Sequence, residues 1–191
     1  MTHKMRSPHW MINHFVTRLV IICLLITAGT NACRSDPGPK PTNEVSRDGG
    51  LELMLELDRD VYKLGQTIQA KVILRNAGSE PVLVNARLAW NREAAPFPFR
   101  EITFQWTRSS GANPNFALIV DRGFPKDDDF IQLAPNATVE RTFDITFYFE
   151  IEETGGYSLQ AIYENQSEPE DGREVWKGEL KSNLISFTVE P

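Results

Sequence analysis

A chain of 191 residues has the length of one folded domain, and an all-β sandwich of about 100 to 150 residues buries a workable single core. Its net charge of −6 is unevenly placed: Lys4, Arg6 and Arg18 precede Cys33 and every Asp and Glu follows it, so 17 basic and 26 acidic residues, a balance of −9, lie beyond it. A surface that acidic repels phosphate backbones and anionic headgroups, which argues against nucleic acid as a partner and against membrane binding through basic patches.

Residues 1–33 have a basic start, an apolar run from Leu19 to Ala28, and small or polar residues before Cys33. This is the pattern of a secretory leader. The apolar run is about half of the ~20 residues that a spanning helix needs, so a retained transmembrane anchor is the weaker reading. Translation is expected to start at Met1, Met5 or Met11, with Met11 opening a leader of more usual length. Thr30-Asn31-Ala32-Cys33 resembles the bacterial lipobox. Ala32 and Cys33 match that motif, and Thr30 and Asn31 stand where it carries Leu and a small residue. The resemblance implies a lipid on Cys33 and an anchor in a bacterial membrane; the alternative is plain cleavage after Ala32 and a secreted or periplasmic protein. Residues 34–50, rich in Pro, Gly, Ser, Asn and charge, read as a flexible linker.

From Leu51 the hydrophobic period is two. Leu51, Leu53, Leu55 and Leu57 face one way, with Glu52 and Glu56 opposite. After the turn at Asp58–Asp60, Ile68, Ala70, Val72 and Leu74 alternate with Gln69, Lys71 and Arg75, and the strand stops at Asn76-Ala77-Gly78. A third run sets Val82, Val84, Ala86, Leu88 and Trp90 against Asn85 and Arg87, until Pro96 and Pro98 break it. Ile102, Phe104 and Trp106 form the next strand. Two short apolar pieces, 116–120 and 130–133, follow between Gly- and Pro-containing loops. The longest strand is predicted where Phe143, Ile145, Phe147, Phe149 and Ile151 alternate with polar residues, their aromatics dominating the core. Strands over 157–163 and 185–189 complete residues 51–191 as one domain.

Gly156-Tyr157-Ser158-Leu159 resembles the tyrosine corner of immunoglobulin-like domains, in which a Tyr hydroxyl ties back to the backbone upstream. The sequence Val61-Tyr62-Lys63-Leu64-Gly65-Gln66, then Leu74-Arg75-Asn76, then Gly156-Tyr157, is similar to bacterial sandwich domains of the intracellular proteinase inhibitor type and to macroglobulin-like domains. Together these imply a single immunoglobulin-like antiparallel β-sandwich of about seven to nine strands; the resemblance concerns structure, and the same fold hosts many roles.

His3, His9, His14 and Cys23 lie in the leader and Cys33 ends it, so residues 34–191 contain neither His nor Cys. A disulfide, a Ser-His-Asp or Cys-His nucleophile and a zinc site of the nitrogen and sulfur type are thereby excluded from that segment. Carboxylate chemistry, a Ser-Lys pair and an oxygen-ligated cation remain chemically open. Asp127-Asp128-Asp129 lacks the spacing and Gly of an EF-hand and reads as a solvated loop. The acidic stretch Glu164–Glu174 reads as a polar loop at one end of the sandwich, Phe97 and Phe99 as core caps or a small sticky patch, and Trp176 as packed rather than stacked on a sugar. The sequons at Asn136 and Asn165 read as turn chemistry. No catalytic residue, metal ligand or cofactor is expected. The expected function is a non-catalytic envelope module that binds another envelope protein or a glycan. The alternatives are a protease inhibitor and a carboxylate-dependent hydrolase.

Overall fold

The computed structural model describes residues 47–90, 101–111 and 123–191. All of them belong to one compact unit, residues 41–191. The leader, Cys33, most of the linker, Pro96 to Phe99 and the predicted strand at 116–120 lie outside the described residues. The strands in chain order are β1 (Arg47–Asp48), β2 (Leu51–Leu57), β3 (Val61–Lys63), β4 (Gln69–Asn76), β5 (Val82–Asn85), β6 (Ile102–Arg108), β7 (Phe130–Leu133), β8 (Thr138–Asp144), β9 (Gly155–Asn165), β10 (Gly178–Lys181) and β11 (Ile185–Glu190).

They form a sandwich. One sheet has the order β1-β2-β4-β8. In the other, β9 is central, with β6 on one edge and β10 followed by β11 on the other, and β3 lies beyond β11. In an immunoglobulin-like sandwich strands A, B and E likewise share one sheet and C, F and G the other. Among the described residues the strands pair antiparallel except β3 with β11, which is parallel, as is the isolated bridge between Trp90 and Ile102. The parallel pair arises because the chain changes sheets at Asp58–Asp60 without reversing, so β3 runs the same way as β2. A separate ribbon, β5-β7, lies to one side.

The two edges β10 and β11 present to β9 are interrupted at residues 182–184. There Ser182 Oγ takes the Ala161 N–H that a strand carbonyl would otherwise accept, at 2.9 Å. The displaced Asn183 reaches the opposite sheet, where its amide accepts from Leu55 N at 2.9 Å and donates to Leu55 O at 3.0 Å. One side chain thus stands in for a neighbouring strand on the open edge of β2 and couples the two layers.

The core follows the predicted alternation in β2, β4, β6 and β11: Leu51, Leu53, Leu55, Ile68, Ala70, Val72, Leu74, Ile102, Phe104, Trp106, Phe187 and Val189 are all buried. Phe104 of one sheet meets Phe143 of the other edge-on at 5.4 Å, Trp106 meets Phe149 edge-on at 5.0 Å, and within the β9 sheet Tyr157 stacks on its ladder partner Phe187 at 5.4 Å with 13° between planes.

Two expected strands are different in the structure. The run 82–90 leaves its ladder after Asn85, because Asn85 Oδ1 accepts from Arg87 N at 3.1 Å and Leu88 adopts a left-handed φ of 45°. Asn85, expected outside, is fully buried and its carbonyl accepts from the Tyr163 hydroxyl at 2.9 Å. The predicted long strand through 143–151 ends at Asp144, whose carboxylate accepts from Thr146 N at 3.0 Å and Oγ1 at 2.5 Å. This N-cap opens a single helical turn, α1 (Ile145–Tyr148). Burial then follows helical rather than strand spacing: Ile145, Tyr148 and Phe149 point inward and Phe147 is 56% exposed. The longest strand is instead β9, of 11 residues.

Candidate functional site

The two ends of the sandwich differ. Arg47 joins the first sheet beside Glu52, at the end that also holds Asn76, Thr138, Asn165 and Gly178. The far end collects Leu57, the turn after β3, α1, the connection 149–154 and the close of β11. We term these the proximal and distal ends.

A cleft of about 290 Å³ opens at the distal end between the two sheets. One wall is the turn Lys63–Gln66. Gly65 supplies its left-handed φ of 79°, Gln66 N donates to Lys63 O, and the Gln66 side chain accepts from Lys63 N at 2.9 Å. Leu64 N bonds Glu190 O at 2.7 Å, which fastens this wall to the end of β11. The other wall is Glu150-Ile151-Glu152, which follows α1 directly. It is held from behind by the tyrosine corner: the buried Tyr157 donates its hydroxyl to Glu153 O at 2.6 Å. Arg108 reinforces the corner, pairing with Glu153 at 2.5 Å and lying 5.6 Å from the Tyr157 ring centroid. The floor consists of buried Ile68, Phe149 and Val189.

Beside this cleft stand three exposed apolar side chains, Val61 (45%), Leu64 (43%) and Phe147 (56%). Lys63, Glu150 and Glu152 line it and form no ion pair among the described residues. Nearby, Arg59 pairs with Asp58 at 3.0 Å, and Asp58 also accepts from Tyr62 Oη at 2.7 Å. Burial tends to raise the Asp58 carboxyl, but those donors outweigh it and hold its pKa below the ordinary value. A concave apolar floor between charged walls can seat a side chain and pair with charge beside it.

The two acidic segments singled out in the sequence come together elsewhere. Asp127–Asp129 form a short 3-10 turn, in which Asp127 Oδ1 accepts from Glu170 N at 2.7 Å and Asp127 O from the Arg173 guanidinium at 3.4 Å. Lys177 binds Glu168 at 2.7 Å and holds that carboxyl below its usual range. These bonds close the acidic loop onto the turn. Among the described residues, no group of three or more His, Cys, Asp or Glu is placed to hold a metal ion. No helix among them is long and apolar enough to cross a membrane.

Trp176 stacks on Tyr163 at 5.6 Å and 16° and packs against the core, as expected. Asn136 occupies a left-handed turn with φ 64°, whereas Asn165 ends β9, buried, its amide holding the Ser167 and Trp176 carbonyls. Lys63, Gln66, Glu150 and Glu152 carried no signal of a shared site in the sequence. The nearest local cue was Asp144 two residues before Thr146, an Asx-turn pattern that ends a strand. No protein-family model matches this chain, and comparison with characterised proteins finds no match.

Proposed function

We propose that this protein is a non-catalytic binding module of the bacterial cell envelope, exported by residues 1–33, attached through a lipid on Cys33 and spaced from the membrane by the linker that precedes β1. It meets its partner with the distal end of the sandwich. The observation that carries this reading is the position of the cleft: it and the exposed Leu64 and Phe147 lie at the end opposite to that where Arg47 joins the sheet. Loop-built ends of a rigid sandwich are where such folds place recognition.

The test is site-specific photo-crosslinking in intact cells. A photoreactive residue at Phe147 is expected to give a discrete adduct absent when the same residue replaces exposed Asp171 in the proximal acidic loop. Identical adduct patterns from the two positions, or none above background from Phe147, would overturn the reading. Intact mass of the mature protein tests the anchor, since a diacylglyceryl-modified Cys33 adds the mass of its chains and an unmodified terminus does not.

A further inference from the structure

We infer that the distal cleft takes a cationic polypeptide segment, one apolar side chain of which sits on the Ile68, Phe149 and Val189 floor while flanking Lys or Arg residues reach Glu150 and Glu152. This inference rests on the binding-module reading and names the chemistry of its ligand.

Three observations favour a peptide of that charge. The cleft, at about 290 Å³, is at the small limit of the ~300–1,000 Å³ typical of sites for whole small ligands, so it suits an anchoring side chain better than a free cofactor. Its floor is aliphatic and aromatic, and the exposed Val61, Leu64 and Phe147 extend that apolar character beyond the rim. A sugar ring is better served by a flat aromatic platform, and Trp176 is engaged with Tyr163 instead.

The charge balance supplies the third observation. Arg59 and Arg108 at this end are committed to Asp58 and Glu153. Lys63 lines the cleft together with Glu150 and Glu152, and these three form no ion pair among the described residues, which leaves the cleft with an excess of negative charge. An acidic wall beside an apolar floor attracts a basic segment and rejects an acidic one, and such complementarity acts on association rate and specificity. Lys63, on the turn wall, orients the segment by excluding its cations from that side, so the contact is one-sided.

Fluorescence anisotropy with the full-length chain tests the inference, using fluorescein-labelled (Lys-Val)4, (Glu-Val)4, (Ser-Val)4 and (Lys-Gly)4 as probes. Saturable binding is expected for (Lys-Val)4 alone. E150Q combined with E152Q is expected to weaken it about tenfold, as is raising the salt from about 20 to about 300 mM. Both carboxylates are exposed, so the substitutions leave the core untouched. E170Q combined with E174Q removes equal charge at the proximal end and is expected to change nothing. Equal losses from the two double variants, or equal binding of (Lys-Gly)4 or (Ser-Val)4, would overturn the inference. Discrete Phe147 adducts in cells together with no (Lys-Val)4 binding would overturn the ligand class and leave the module reading standing. Peptide binding without adducts would do the reverse.

Discussion

Asn76→Asp exchanges one amide nitrogen for oxygen, with almost no change of shape, at a position where that nitrogen does two jobs. Asn76 ends β4 fully buried. Its Nδ2 donates to Glu80 O at 2.7 Å and Leu133 O at 2.9 Å, and its Oδ1 accepts from Gly78 N at 2.9 Å. Its backbone is held too, through Ala137 O and Asn136 N. The substitution turns two hydrogen bonds into two oxygen–oxygen contacts. Losing the bonds costs about 1 kcal/mol each, and a buried carboxylate left with one donor brings the total to about 3–5 kcal/mol at neutral pH. That is a large part of the ~5–15 kcal/mol that stabilises a typical domain.

The sign of the pH dependence follows. Burial raises the introduced carboxyl above its unfolded value of about 3.9, so the folded state prefers the protonated form. The deficit is least near that value and deepens by about 1.4 kcal/mol per pH unit until the folded pKa is passed. Urea unfolding followed by tryptophan fluorescence at about pH 4.5 and about pH 7.5 measures it. Asn76→Ala, which loses the bonds without adding a charge, is expected to cost about 2–4 kcal/mol at both pH values. The reasoning fails if N76D lies within about 1 kcal/mol of the parent at the higher pH, or if the gap between the two variants is the same at both.

Tyr157→Phe removes the hydroxyl bond to Glu153 O, and is expected to cost about 1 kcal/mol and lower Tm by about 2–4 °C; calorimetry checks this, and an unchanged Tm would remove the corner as a support of the cleft wall. Gly50→Ala puts a Cβ 2.9 Å from Gly78 Cα at a backbone φ of 82°, so a loss of about 2–3 kcal/mol is expected in urea unfolding, and a neutral outcome would show that the Gly50–Gly78 approach relaxes freely. Tyr163 is held well above the usual tyrosine pKa, chiefly by burial and further by the Glu101 charge, and Tyr62 is raised by burial and its bond to Asp58. Their stability contribution is therefore complete below the unfolded pKa of about 10 and declines as pH rises beyond it. Tyr163→Phe is expected to cost about 1 kcal/mol at neutral pH and to flatten the alkaline decline; parallel stability curves for parent and variant would contradict that account.

Where residue pitch alone decides which way a side chain points, the chain was legible without coordinates. Leu51 to Leu57, Ile68 to Leu74 and Ile102 to Trp106 alternate because successive side chains of a strand emerge on opposite faces, and one face must leave water. The corner at Tyr157 was legible for a similar reason, since its hydroxyl closes on a carbonyl only four residues upstream. Asp144 shows the limit of that logic. The alternation of Phe143, Ile145, Phe147 and Phe149 satisfies a strand, yet a two-residue side-chain cap competes with the ladder, and packing on the opposite sheet chooses the helical turn that buries Tyr148 and Phe149.

Only tertiary structure placed Asn183 against Leu55, 128 residues earlier, or Asn85 beneath Tyr163. Both are polar residues whose sequence neighbourhood reads as exposed; half-buried Asn183 serves the backbone N–H and C=O of Leu55, and the carbonyl of buried Asn85 takes the Tyr163 hydroxyl. The distal cleft has the same origin. Lys63 and Glu152 share it because β3 pairs with the last strand while α1 ends beside them. Local periodicity describes how each strand meets water; which strand ends meet one another is decided by pairings across the whole chain.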